Sequence, residues 1–63
     1  MSDDDLPNIG APATRALASI GVTRLSQLVD HGEDELLGLH GFGPRALRIL
    51  KEALNTVGLS LRS

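Results

Sequence analysis

Sixty-three residues with no cysteine and one aromatic, Phe42, specify a single small domain held by aliphatic packing, without disulfides or thiolate metal sites. The formal charge of −2 excludes a uniformly basic surface, and no apolar run reaches the length of a membrane span. The charge is unevenly spread: residues 1–35 hold seven acidic and two basic side chains, whereas residues 36–63 hold four basic and one acidic. A local basic face can therefore coexist with an acidic remainder that weakens binding to polyanions.

Residues 1–5 read as an acidic, mobile tail and residues 6–63 as the folded domain. A first helix is predicted over Pro12–Ile20, with Ala13, Ala16, Leu17 and Ile20 on one face and Arg15 on the other. Gly21 stops it. Thr23 is placed to cap a second short helix that turns Leu25, Leu28 and Val29 inward and ends at His31-Gly32. Glu33-Asp34-Glu35 open a third, very short helix, where carboxylates complement the dipole. Leu36 and Leu37 are its core contribution, and Gly38 breaks it. The fourth helix runs from Pro44 to about Val57, with Ala46, Leu47, Leu50, Ala53, Leu54 and Val57 as its apolar stripe. Gly58 ends it, and Leu59 or Leu61 folds back onto the core. No stretch alternates with period two, so no strand is expected. The fold class is all-α: a compact bundle of four to five short helices.

The stretch Leu39-His40-Gly41-Phe42-Gly43-Pro44-Arg45-Ala46 carries the chemistry. Gly41 and Gly43 permit a tight turn and close approach of a ligand to the backbone. Phe42 plugs the turn into the core, and Pro44 suits the first helical position. Amides of such a turn and helix start can converge on an anion, phosphate being the common one. Arg45 adds a positive charge beside them. The unit repeats: Leu6-Pro7-Asn8-Ile9-Gly10-Ala11-Pro12-Ala13 aligns with Leu39–Ala46 without a gap, Asn8 standing at Gly41 and Gly10 at Gly43. Asparagine tolerates positive φ, so Asn8 is expected to replace the glycine in that role. Arg15 aligns with Arg48. The candidate nucleic-acid-binding residues are Asn8, Gly10, Arg15, Gly41, Gly43, Arg45 and Arg48, with Lys51 ranked behind them.

Three other readings fail on context. Gly41-Phe42-Gly43-Pro44-Arg45-Ala46 satisfies a dinucleotide fingerprint in letters, but no strand precedes it and no acidic residue follows at the required distance. His31 and His40 lack helically spaced ligand partners, so no metal is assigned. No nucleophile–base pair is visible, so no catalytic residue, enzyme activity or cofactor is assigned.

These residues resemble the helix-hairpin-helix family, most closely the C-terminal domain of bacterial RNA polymerase alpha subunits. The likeness rests on Glu35-Leu36-Leu37, Gly43, Leu47, Leu50-Lys51, Leu54 and Gly58-Leu59-Ser60-Leu61, with Val22 and Leu28-Val29 in the first half. It spans about residues 11–61. The opening Leu6–Gly10 looks more like a second hairpin of the general family. The resemblance implies a SAM-domain-like fold with two helix-hairpin-helix units over residues 6–63, touching DNA backbone and minor groove beside other proteins. The family's hairpin glycine falls on Gly43 and its lysine on Arg45. Its serine falls on Ala46, its glutamate on Ile49, its principal DNA-contacting arginine on Pro12 and an asparagine on Arg15. On this resemblance the departures count against promoter-element specificity, with Arg45 keeping the charge and Arg15 compensating in part, and they leave a generic phosphate contact.

The function expected is a cytoplasmic, non-enzymatic module, nucleoid-associated if the source is bacterial, that binds double-stranded DNA weakly and with low sequence specificity, in transcription and attached to a larger transcription or repair protein. Three neutralised phosphates would give a salt slope of about −2.7. The alternatives are a protein–protein interaction module, motivated by the acidic Asp30–Glu35 segment, and an accessory domain of a repair or recombination assembly.

Overall fold

The computed structural model describes residues 4–62. Three α-helices and one 3-10 helix surround a single aliphatic core: α1 (Ala11–Ser19), the 3-10 helix (Leu25–Asp30), α2 (Glu33–Leu37) and α3 (Pro44–Thr56). No strand forms among the described residues. Two isolated bridges, Asp5 with Arg24 and Gly32 with Arg62, are the only β pairing there.

The core gathers Ala13, Ala16 and Leu17 of α1, Leu25 and Leu28 of the 3-10 helix, Leu36 of α2, and Ala46, Leu47, Leu50 and Leu54 of α3. Phe42 plugs the base of the turn between α2 and α3, as its sequence position implies. The second helix is 3-10 rather than α because three residues per turn place Leu25 and Leu28 on one line, and both are buried. Thr23 does not cap it. Gln27 reaches back instead, its side-chain oxygen accepting the N–H groups of Thr23 and Arg24 at 2.6 and 3.0 Å.

Three predicted core residues stand outside it: Val29, only half-buried, does not join the core, and Leu37 and Val57 are exposed. Leu37 is 42% exposed. A five-residue helix makes little more than one turn, and Leu36 occupies its inward position. Val57 is 38% exposed because it lies beyond the last turn of α3. There the chain reverses: Leu59 N–H bonds the Leu54 carbonyl at 2.8 Å and Gly58 N–H that of Asn55 at 3.1 Å, the paired bonds of a Schellman motif. Of the two leucines expected to fold back, Leu61 packs on the core and Leu59 stays exposed.

Part of the acidic stretch is tied down. Residues 1–3 lie outside the described residues, but Asp4 is held by the 3-10 helix. Its carbonyl accepts Leu25 N–H at 2.8 Å, and its carboxylate accepts Ser26 N–H and Oγ–H at 2.6 and 2.8 Å. Asp4, within the stretch read as an acidic tail, is thus hydrogen-bonded to the folded domain. Residues 6–10 run without regular structure into α1, so the first repeat has its bend and following helix but no helix ahead of the bend among the described residues.

Candidate nucleic-acid interface

The alignment of the two repeats predicts that their helices start at equivalent positions, and they do. Gly10 caps α1 and Gly43 caps α3, thirty-three residues apart, neither with a side-chain cap. A helix without a cap leaves its first amides without intrahelical partners. In the second repeat the N–H groups of Gly41, Gly43, Arg45 and Ala46 have no protein acceptor among the described residues, while Phe42 N–H is spent on the Leu39 carbonyl at 3.2 Å. Pro44 has no N–H to satisfy.

The repeats differ in how the bend is made. Asn8 does not take positive φ. In the first repeat Gly10 does so, at 93°, whereas in the second Gly41 does, at 87°. Asn8 instead folds its side chain forward, and its Oδ1 accepts Gly10 N–H at 3.2 Å. A short polar side chain bonding the backbone two residues on is the ordinary behaviour of asparagine in a bend. It consumes an amide that the alignment of the two repeats would otherwise offer to an anion. The two bends are related in sequence but are not a matched pair.

They nevertheless share one side of the molecule. A groove of about 430 Å³ is lined by Asn8, Ile9, Gly10, Pro12 and Ala13 from the first repeat and by Gly41, Gly43, Arg45, Ala46 and Ile49 from the second. Five predicted residues meet there: Asn8, Gly10, Gly41, Gly43 and Arg45. Arg15 and Arg48 do not line it. Arg15 is exposed one turn beyond Pro12, and among the described residues it has no ion-pair partner. Arg48 sits 3.7 Å from Glu52 on a strongly exposed face of α3, a pairing worth at most about 1 kcal/mol. Lys51 is engaged with Glu33 across α2 and α3.

Ile9, Pro12, Ala13, Ala46 and Ile49 line the groove but are not among the candidate residues. The signal for Ile49 was its position four residues beyond Arg45, which puts both on one helical face. Ile9 was visible only through its alignment with the core residue Phe42. Of the six positions carried over from the family resemblance, Pro12, Gly43, Arg45, Ala46 and Ile49 all line this groove, and only Arg15 does not.

The groove holds no carboxylate and one formal charge, Arg45. The Arg45 guanidinium and the unpartnered amides offer donors to an incoming anion. Among the described residues no three histidines or acids gather in a way that could hold a metal, and no described helix is long and apolar enough to cross a membrane.

Curated relatives similar in sequence to this chain are DNA-directed RNA polymerase alpha subunits. That of Bifidobacterium longum (strain NCC 2705) is 36% identical over 56 residues, covering 89% of this chain and 17% of the relative. That of Hydrogenobaculum sp. (strain Y04AAS1) is 43% identical over 54 residues, covering 86% of this chain and 17% of the relative. The Aquifex aeolicus (strain VF5) subunit is 41% identical with the same coverage of both. The chain thus spans about one sixth of the length of these relatives. No family model matches the chain, and no solved structure does.

Proposed function

We propose, from the premise that this chain belongs with the RNA polymerase alpha C-terminal-like domains, that it is a non-catalytic module holding the backbone of duplex DNA in a transcription assembly. Amides of Gly41, Gly43, Arg45 and Ala46 would take a phosphate's oxygens, with the Arg45 guanidinium closing on the same group. Arg15 would reach a neighbouring phosphate. The observation that carries this reading is that residues with unpartnered amides and an arginine without an ion-pair partner line one groove bounded by both bends.

Contacts of this kind position a protein on the duplex without reading its bases. Affinity from one basic side chain in the groove and one nearby is low. Attachment to a larger transcription protein would supply the missing affinity as effective concentration. The place of action on this reading is the cytoplasm, at the nucleoid.

The test is fluorescence-anisotropy titration of a labelled duplex at low salt, comparing the wild type with Arg45→Glu. Weak wild-type binding and none for the variant is the expected result. Equal binding by both, or no binding by either, overturns the reading.

A second reading is favoured by one observation. A separate groove of about 690 Å³ is lined by Glu33, Asp34, Glu35, Lys51, Leu61 and Arg62, among others, and carries both signs of charge. On α3, Lys51 stands about half a turn from Ile49, so this face can meet a protein while the other meets DNA. Binding of a partner that DNA does not displace would support two independent faces.

A further inference from the structure

We infer that residues 4–10 form a strap, latched where Asp4 meets Ser26, and that negative charge on the Ser26 hydroxyl oxygen releases it and loosens one wall of the groove between the two bends. The inference concerns that wall and holds whatever ligand the groove takes.

The strap is fastened at few points. At its start the Asp4 carbonyl accepts Leu25 N–H at 2.8 Å, and the Asp4 carboxylate accepts Ser26 N–H at 2.6 Å and Ser26 Oγ–H at 2.8 Å. Asp5 follows with an isolated antiparallel bridge to Arg24. Between that bridge and the Gly10 cap, among the described residues, no backbone hydrogen bond ties residues 7–9 to the rest of the domain. Leu6 and Ile9 pack only at the margin of the core. Asn8, Ile9 and Gly10 are the far end of the strap, and they line the groove opposite Gly41, Gly43 and Arg45. The bonds to the Asp4 carboxylate are charge-assisted and so are the strongest of these fastenings.

The latch depends on one proton. An ionised carboxylate only accepts, so Ser26 must donate to it. Ser26 is exposed, and its hydroxyl is within reach of modification. A phosphate there carries about −1.5 to −2 at pH 7 and repels a neighbouring carboxylate. It would stand against Asp4, with Asp5 next in sequence and Arg24 as the one cation close by in sequence. A protein kinase would supply it by moving the terminal phosphoryl group of a nucleoside triphosphate to Ser26 Oγ. The nucleoside diphosphate leaves, and the hydroxyl proton passes to solvent.

The experiment is NMR on the full chain: hydrogen exchange at the Leu25 and Ser26 amides, and ¹⁵N order parameters at Ile9 and Gly10. It compares the wild type, the chain phosphorylated at Ser26, Ser26→Asp, Ser26→Lys and Asp4→Ala, with circular dichroism to verify each fold. Phosphorylation and Ser26→Asp should lower amide protection about tenfold. The order parameters should fall from about 0.85 to below about 0.6. Ser26→Lys, whose ammonium suits Asp4, should keep wild-type values. Asp4→Ala, which removes the carboxylate without adding charge at Ser26, should loosen the wall as Ser26→Asp does. An ordered wall in Ser26→Asp or in Asp4→Ala overturns the inference, because core packing then holds the strap. Equal loosening in Ser26→Asp and Ser26→Lys also overturns it, because loss of the hydroxyl rather than charge is then the cause. Duplex binding is not a readout here, so its absence refutes the proposed function and leaves the latch standing.

Discussion

A β-carbon added to Gly41 would lie 3.2 Å from the carbonyl oxygen of Pro12. The bend before α3 thus rests against the first turn of α1, and this approach brings the two repeats to one groove. Gly41 also has φ of 87°, a conformation costly for residues with a β-carbon. Gly41→Ala is therefore expected to lose about 2 kcal/mol, lowering the melting temperature by about 10 °C. Gly43 has φ of −116° and open space where a β-carbon would stand. Gly43→Ala should melt within about 2 °C of the wild type, so paired thermal denaturation curves check the contrast.

Asn8 was counted in the sequence as a contact residue, whereas its side chain closes one amide. Asn8→Ala releases Gly10 N–H and gives up one exposed hydrogen bond worth about 0.5 kcal/mol. Duplex affinity is expected to hold or to rise by up to about threefold. Loss of affinity in the same titration would return Asn8 to direct contact with the ligand.

The ion pairs also change the expected salt dependence. With Lys51 and Arg48 both near carboxylates, Arg45 and Arg15 are the cations proposed to meet phosphates. The slope of log K against log salt should be near −1.8, shallower than the −2.7 of three contacts. Titrations between 20 and 150 mM salt, roughly the range in which so weak a binder is measurable, check the value. Arg15→Ala should bring it to about −0.9.

Stability should depend sharply on α3. Leu50 is fully buried at the centre of the core, and its truncation typically costs about 2–5 kcal/mol. A core of this size supplies about 3–5 kcal/mol in all. Leu50→Ala is expected to leave the chain largely unfolded at 37 °C, as far-ultraviolet circular dichroism would show.

Much of this molecule could be read from its letters because helices of a small bundle announce themselves by period and punctuation. Pro44 and Gly58 bracket α3, Glu33 and Gly38 bracket α2, and the apolar residues between them keep helical spacing. The placement of Leu37 and Val57 escaped because a one-turn helix and a helix end do not continue the phase of their neighbours. The Gln27 cap escaped because a residue reaching backward leaves no mark at the position it caps. At the site, the matched starts of α1 and α3 were legible from the repeat. The closed amide at Gly10 was not, since the same asparagine could have supplied either a backbone conformation or a side-chain acceptor.

The fastenings of Asp4 to Leu25 and of Arg62 to His31 put both outer stretches of the described chain on the two ends of one six-residue helix. At about 2 Å of rise per residue those anchor points are roughly 12 Å apart. Tension applied through the two ends would load these clasps first and peel them one bond at a time. The bend and α3, lying between them in sequence and braced by the core, would yield last.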